Sequence, residues 1–117
     1  MKIEGEAKLL RIFVGENDKH GTVPVYEKIV VEARKAELAG ATVYRGIMGY
    51  GGNSRIHSAK FLAISEDLPL VIEIVDEENK IEKFIPMVEK IFEDANSGGL
   101  ITIEKAQIIK YTPAKKK

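Results

Sequence analysis

The residues best suited to chemistry are gathered in Arg45-Gly46-Ile47-Met48-Gly49-Tyr50-Gly51-Gly52-Asn53-Ser54-Arg55, which holds four glycines and two arginines. Glycine lets backbone N–H groups turn toward an anion at close range, and arginine adds a bidentate donor for phosphate or carboxylate. No helix follows to supply a positive N-terminus, so this is not a dinucleotide-binding fingerprint. The absence of Gly-Lys-Ser/Thr excludes a P-loop as well. Two readings stay open for these residues: an anion-binding loop, or a turn in which Gly49 and Gly51 only confer flexibility. Tyr50, flanked by glycines, is the aromatic side chain left to stack on a ligand; the others fall mostly on core stripes.

Other candidates are weaker. His20 and His57 are the two histidines, and with Asp18, Glu16 or Asp67 they match no metal-site spacing. His57, close to Arg55, is the better ligand contact, whereas His20-Gly21 shapes a loop. Glu73 sits mid-strand, where a carboxylate is either a perturbed acid or a group that faces solvent or pairs with a lysine across the sheet. Asp76 reads as turn chemistry before a helix. Gly98-Gly99 could approach a phosphate, yet a helix C-terminus has the wrong dipole for an anion, so alone it reads as a C-cap. Ser54, Ser58, Ser65 and Ser97 lie outside any nucleophile-elbow pattern, and no nucleophile has a matched base.

Composition narrows the class. The 117 residues suit one domain, 1–117, with 44% apolar and 31% charged residues. The 18 basic and 18 acidic side chains cancel, which argues against a nucleic-acid or membrane-surface partner. Cysteine is absent, which removes disulfides, thiolate metal sites and thiol nucleophiles together. The polar start Met1-Lys2-Ile3-Glu4-Gly5-Glu6 carries no apolar signal region, and the expected location is the cytoplasm.

The elements that must position these residues follow from periodicity. Ala7–Val14 reads as a buried strand ending at Gly15. Pro24 suits the first turn of a helix whose stripe is Val25, Ile29, Ala33 and Ala36, with Gly40 at the left-handed C-terminal position. Ala41–Met48 is expected to be a second strand, Lys60–Ile64 the return arm of a hairpin, and Leu70–Val75 the clearest strand. A second helix is expected to open at Asn79 with Glu82 in capping-box spacing, and Pro86 should kink it or delay its start. Its stripe is Ile81, Phe84, Ile85, Val88, Ile91, Phe92 and Ala95, and Asn96-Ser97-Gly98-Gly99 ends it. Leu100–Tyr111 is the last strand, where a phase shift between Ile103 and Ala106 predicts a bulge near Glu104 and Lys105. Residues 113–117 form an expected unstructured tail. The order β-α-β-β-α-β predicts an α+β, ferredoxin-like sandwich: a four-stranded antiparallel sheet with two helices on one face.

With that order and Gly-Tyr-Gly-Gly-Asn-Ser-Arg-Ile-His in place, the chain resembles the PII-like signalling proteins. It is most similar to an uncharacterised branch marked by GATVYRGIMGYG, SRIH and DLPLVIEIVD, which here run from Gly40 to Asp76. The resemblance implies a homotrimer that binds adenine nucleotides in clefts between subunits, at the base of a long loop that switches to engage a membrane transporter or enzyme. It places Gly49, Tyr50, Gly51, Asn53, Ser54, Arg55 and His57 at that loop, residues 49–60, with Gly98, Gly99 and Lys110 as further contacts. Two departures weaken the phosphate site. The second loop is shortened to Ser97-Gly98-Gly99 without its lysine, and Lys110 is the single basic residue near the end of the last strand. ADP or AMP is therefore expected over ATP, with no tightly bound cofactor and no catalysis. The alternatives are a structural or metal-responsive trimer of the copper-tolerance type, and an acylphosphatase-like enzyme. The latter needs an arginine that Glu16–Gly21 does not contain.

Overall fold

A computed structural model describes residues 5–51, the backbone of 57–58, and residues 68–114. The elements in chain order are β1 (Gly5–Gly15), β2 (Lys19–His20), β3 (Val23–Pro24), α1 (Val25–Lys35), β4 (Thr42–Arg45), β5 (Met48–Gly49), β6 (His57–Ser58), β7 (Pro69–Asp76), α2 (Glu78–Ala95) and β8 (Leu100–Ile108). The main sheet has four strands in the order β4-β7-β1-β8, and every pairing is antiparallel. This is the expected ferredoxin-like layout.

Alternation sorts the two faces of the sheet. Leu10, Ile12 and Val14 of β1 stand beside Ile74, Ile72 and Leu70 of β7, and all are buried. Against them pack Val25, Ile29 and Ala33 of α1 and Ile81, Phe84, Val88 and Ile91 of α2, forming one core cluster. Each large apolar side chain buried there contributes about 1.5–3 kcal/mol from its removal from water. No described helix covers the opposite sheet face, which carries Leu9, Arg11, Phe13, Val71, Glu73, Val75 and Tyr44.

Several expectations are corrected. The β1–β8 register runs without interruption from Gly5↔Ile108 to Phe13↔Leu100, so there is no bulge at Glu104 and Lys105. The apolar phase shift has another origin: Ile101 and Ile103 stand beside Ile12 and Leu10 on the helix side, whereas Ala106 stands beside Ala7 on the other. The second strand is shorter than 41–48, because pairing with β7 ends at Arg45 and a new short pairing, β5 with β6, begins at Met48. The hairpin arm expected at Lys60–Ile64 lies outside the described residues, as does the tail from Lys115.

The helix ends differ too. Helix α1 stops at Lys35, and its left-handed residue is Glu37 (φ 61), not Gly40. Leu38 N–H donates to Ala33 O and Glu37 N–H to Arg34 O, the paired bonds of a Schellman motif. Helix α2 starts at Glu78 without a side-chain cap, so the Asn79–Glu82 capping box does not form. The chain stays helical through Pro86, which is exposed, so the start is not delayed. On that side water can reach the Glu82 carbonyl that proline leaves without a donor.

Candidate functional site

Antiparallel pairing brings the C-terminal end of β1, the end of β4 and the starts of β7 and β8 to one end of the sheet. The Gly46–Gly51 segment leaves β4 there, and Gly98-Gly99 enters β8 there. The two segments nevertheless sit at opposite sheet edges, with β7 and β1 between their strands. Three interstrand spacings separate those edges by about 14 Å.

The glycine segment is anchored on Pro69. Gly46 N–H donates to Pro69 O at 2.7 Å. A Cβ on Gly46 would lie 2.9 Å from Pro69 Cγ, and one on Gly49 would lie 3.1 Å from the same atom. Gly51 meets nothing within 4 Å. Gly46 and Gly49 are thus glycines for close approach to a rigid ring, while Gly51 has room around it. Next to them Ile47 is 81% exposed, Met48 56% and Tyr50 69%, an apolar run unusual for an isolated surface. Gly49 pairs with His57 through the backbone, which returns the chain to the loop base; Asn53, Ser54 and Arg55 lie outside the described residues.

On the other edge, Gly99 is fixed by packing. A Cβ there would lie 2.5 Å from Phe92 Cζ and 2.9 Å from Phe13 O. The left-handed cap is Asn96 (φ 50), so the glycine pair is not the helix cap that its position suggests. Gly98 meets nothing within 4 Å and is exposed. Lys110 lies beyond Ile108, the far end of β8, which is itself roughly 30 Å from Gly99 along the strand. One protomer therefore does not bring Lys110 to either glycine segment.

Residue types alone did not flag several groups that hold this end together. Asp18 Oδ2 accepts from Gly15 N–H at 2.9 Å and from Ser97 Oγ at 3.1 Å, tying the loop after β1 to the turn after α2. The Gly15-x-x-Asp18 spacing, typical of a side chain closing its own turn, is the signal that could have found it. Arg45 pairs with Glu16, so the described arginine next to the glycine segment is already charge-matched. His20 Nε2 stands 3.9 Å from Asp94 Oδ2.

Glu73 pairs across the sheet, though with Arg11 and not a lysine: Arg11 Nε donates to Glu73 Oε2 at 2.8 Å, and a second nitrogen contacts Glu104. The Tyr44 hydroxyl and then Arg11 hold the Glu73 carboxyl below its ordinary range, against the opposing effect of burial. The same hydrogen bond to Glu73 raises Tyr44. This network lies on the uncovered sheet face, away from the core. Among the described residues no group of three His, Asp or Glu could hold a metal ion, and no helix is long and apolar enough to cross a membrane.

Residues 7–108 match the family DUF190, described as Uncharacterized ACR, COG1993. A UPF0166 protein of Aquifex aeolicus is 38% identical over 102 residues, spanning 87% of this chain and 92% of that one. Among solved structures, the fold is similar to CPII, a nitrogen regulatory PII-like protein from Thiomonas intermedia K12 bound to ADP, AMP and bicarbonate. That match has a TM-score of 0.67 at 16% identity and covers 92% of this chain and 91% of CPII. CutA from Synechococcus elongatus is similar at a TM-score of 0.56 and 11% identity, covering 95% of this chain and 85% of CutA. The sheet order, the glycine segment leaving β4 and a match across nearly every described element agree: the chain belongs to the DUF190 family, a branch with the PII-like fold.

Proposed function

We propose that this protein is a ligand-sensing module, not an enzyme, and that it binds an adenine nucleotide between the subunits of a homotrimer. The carrying observation is the separation of the two glycine segments, which share one end of the sheet but occupy opposite edges. At about 14 Å they cannot close on the same phosphate group within one chain. A neighbouring copy that sets its β8 edge against this β4 edge would form a cleft lined by Gly49, Tyr50 and Gly51 from one subunit and Gly98 and Gly99 from the next. Asn53, Ser54, Arg55 and His57 complete the proposed set. Occupancy would then alter the 49–60 segment and its contact with a regulated partner, an order–disorder device.

The shortage of positive charge supports ADP or AMP over ATP. Arg45 is engaged with Glu16, and the turn Ser97-Gly98-Gly99 carries no cation. CPII, with the same fold, holds ADP and AMP. A metal-responsive trimer has less behind it, since His20 faces Asp94 and no described third ligand joins them.

Calorimetric titration with ATP, ADP and AMP tests the reading. ADP or AMP should release heat and raise the melting temperature, the stabilisation reaching about 2.7 kcal/mol at a hundredfold excess over Kd. Arg55→Ala should weaken both responses. Neither heat nor a thermal shift with any of the three would overturn the proposal.

A further inference from the structure

A second surface lies at the other end of the sheet, where α1 ends and α2 begins. At 100° per residue, Lys80, Lys83, Met87 and Lys90 fall on one flank of α2, and Glu82, Glu89 and Glu93 on the opposite flank. Helix α1 lies along the lysine flank, and between the two helices runs a groove of about 430 Å³. Ala36, Phe84 and Met87 supply its apolar lining, and Lys35, Lys80 and Lys83 its cationic lining. Met87 is 39% exposed there, an adaptable apolar side chain open to solvent.

Charge in the groove is lopsided although the chain as a whole is neutral. Glu32 is the carboxylate of the lining, and it is engaged with Lys28 at 3.3 Å and Lys35 at 3.4 Å. Lys80 reaches only the Glu37 carbonyl, at 3.4 Å. Lys83 has no carboxylate partner among the described residues. Further up α2, by contrast, Lys90 is matched by Asp94 at 3.4 Å. Three lysines against one engaged carboxylate leave the groove lining positive, beside its apolar residues.

We propose that this groove docks an acidic segment of a partner protein, with an apolar side chain of that segment seated over Ala36, Phe84 and Met87. The apolar lining gives an anchor position, and the lysines give complementarity to dispersed carboxylates. The groove lining holds lysines and no arginine fork, so compact phosphate recognition is not what it is built for. The surface is independent of the glycine segments, which lie at the opposite end of β4 and β7.

The test is an NMR titration of the full-length ¹⁵N-labelled chain with a synthetic helix-forming peptide of about a dozen residues, bearing glutamates on one face and leucines on the other. Shifts should centre on Lys35, Ala36 and residues 80–87. Lys80→Glu with Lys83→Glu, and separately Lys83→Glu alone as a milder variant, should weaken binding, the double variant by about tenfold or more. A version of the peptide with glutamine for glutamate, and one with serine for leucine, should both bind more weakly. The proposal is overturned if shifts fall elsewhere or are absent, or if the glutamine peptide binds as well. It also fails if ATP, duplex DNA or phosphatidylserine vesicles occupy the same lysines more tightly than the acidic peptide.

Discussion

Asp76 is a fully buried carboxylate whose two oxygens serve different segments. Oδ1 accepts from Glu77 N–H at 2.7 Å as α2 begins, and Oδ2 accepts from Ala39 N–H at 2.8 Å just before β4. It satisfies the N-cap amide of Glu77, one of the two amides a capping box would engage, and it also ties the α1–β4 connection to the end of β7. Asp76→Ala strands two amides at about 1–3 kcal/mol each, so we expect a loss near 3 kcal/mol. That corresponds to a drop in Tm on the order of 10–20 °C in a scanning calorimeter. Asp76→Asn, which keeps an acceptor, should lose less; equal stability of Asp76→Ala and the wild type would refute the assignment. The turn role of Asp76 was legible in the sequence, but its second partner, 37 positions away, was not.

At the scale of elements, both helices close with a Schellman motif on a residue other than glycine. In α2 the left-handed residue is Asn96, a type that tolerates this conformation; in α1 it is Glu37. A left-handed β-carbon costs roughly 1–2 kcal/mol, and a carboxylate at a helix C-terminus opposes the dipole. Glu37→Gly removes both penalties, against an unfolded-state cost for glycine of about 0.5–1 kcal/mol. We expect a net gain of about 0.5–1 kcal/mol, read as a higher urea midpoint with an unchanged slope. Asn96→Gly should move the midpoint far less. The apolar stripes of α1 and α2 were readable from spacing because the core decides them. The exact ends were not: Gly40 attracted the expectation, but the Leu38 contact with the core sets where α1 stops.

At the scale of the whole molecule, the helices shield one sheet face and leave the other with Leu9, Phe13, Val71 and Val75 around the Arg11–Glu73 pair. A face this apolar favours burial against further copies. The proposed trimer predicts a molar mass by light scattering of three times the 13.0 kDa chain. Val71→Asp, in the middle of that face, should shift the mass toward one chain while leaving the far-UV circular dichroism intact. A wild-type mass of one chain at every concentration would remove the subunit cleft, and the nucleotide reading with it.

The sequence by itself determined the layout. Two amphipathic helices and the alternating runs of β1 and β7 admit few arrangements other than helices on one face of an antiparallel sheet, and the glycine-rich stretch after β4 marked the family. Tertiary structure decided what the glycines are for. Gly46 and Gly49 answer to Pro69, and Gly99 to Phe92 and Phe13. It also decided that the two glycine segments share an end of the sheet but not an edge, and that Lys110 is remote from both. Local periodicity reports which face a residue takes, because neighbours three or four positions apart enforce it. Close approaches between distant strands, and the order in which strands lie side by side, arise only when the chain closes on itself.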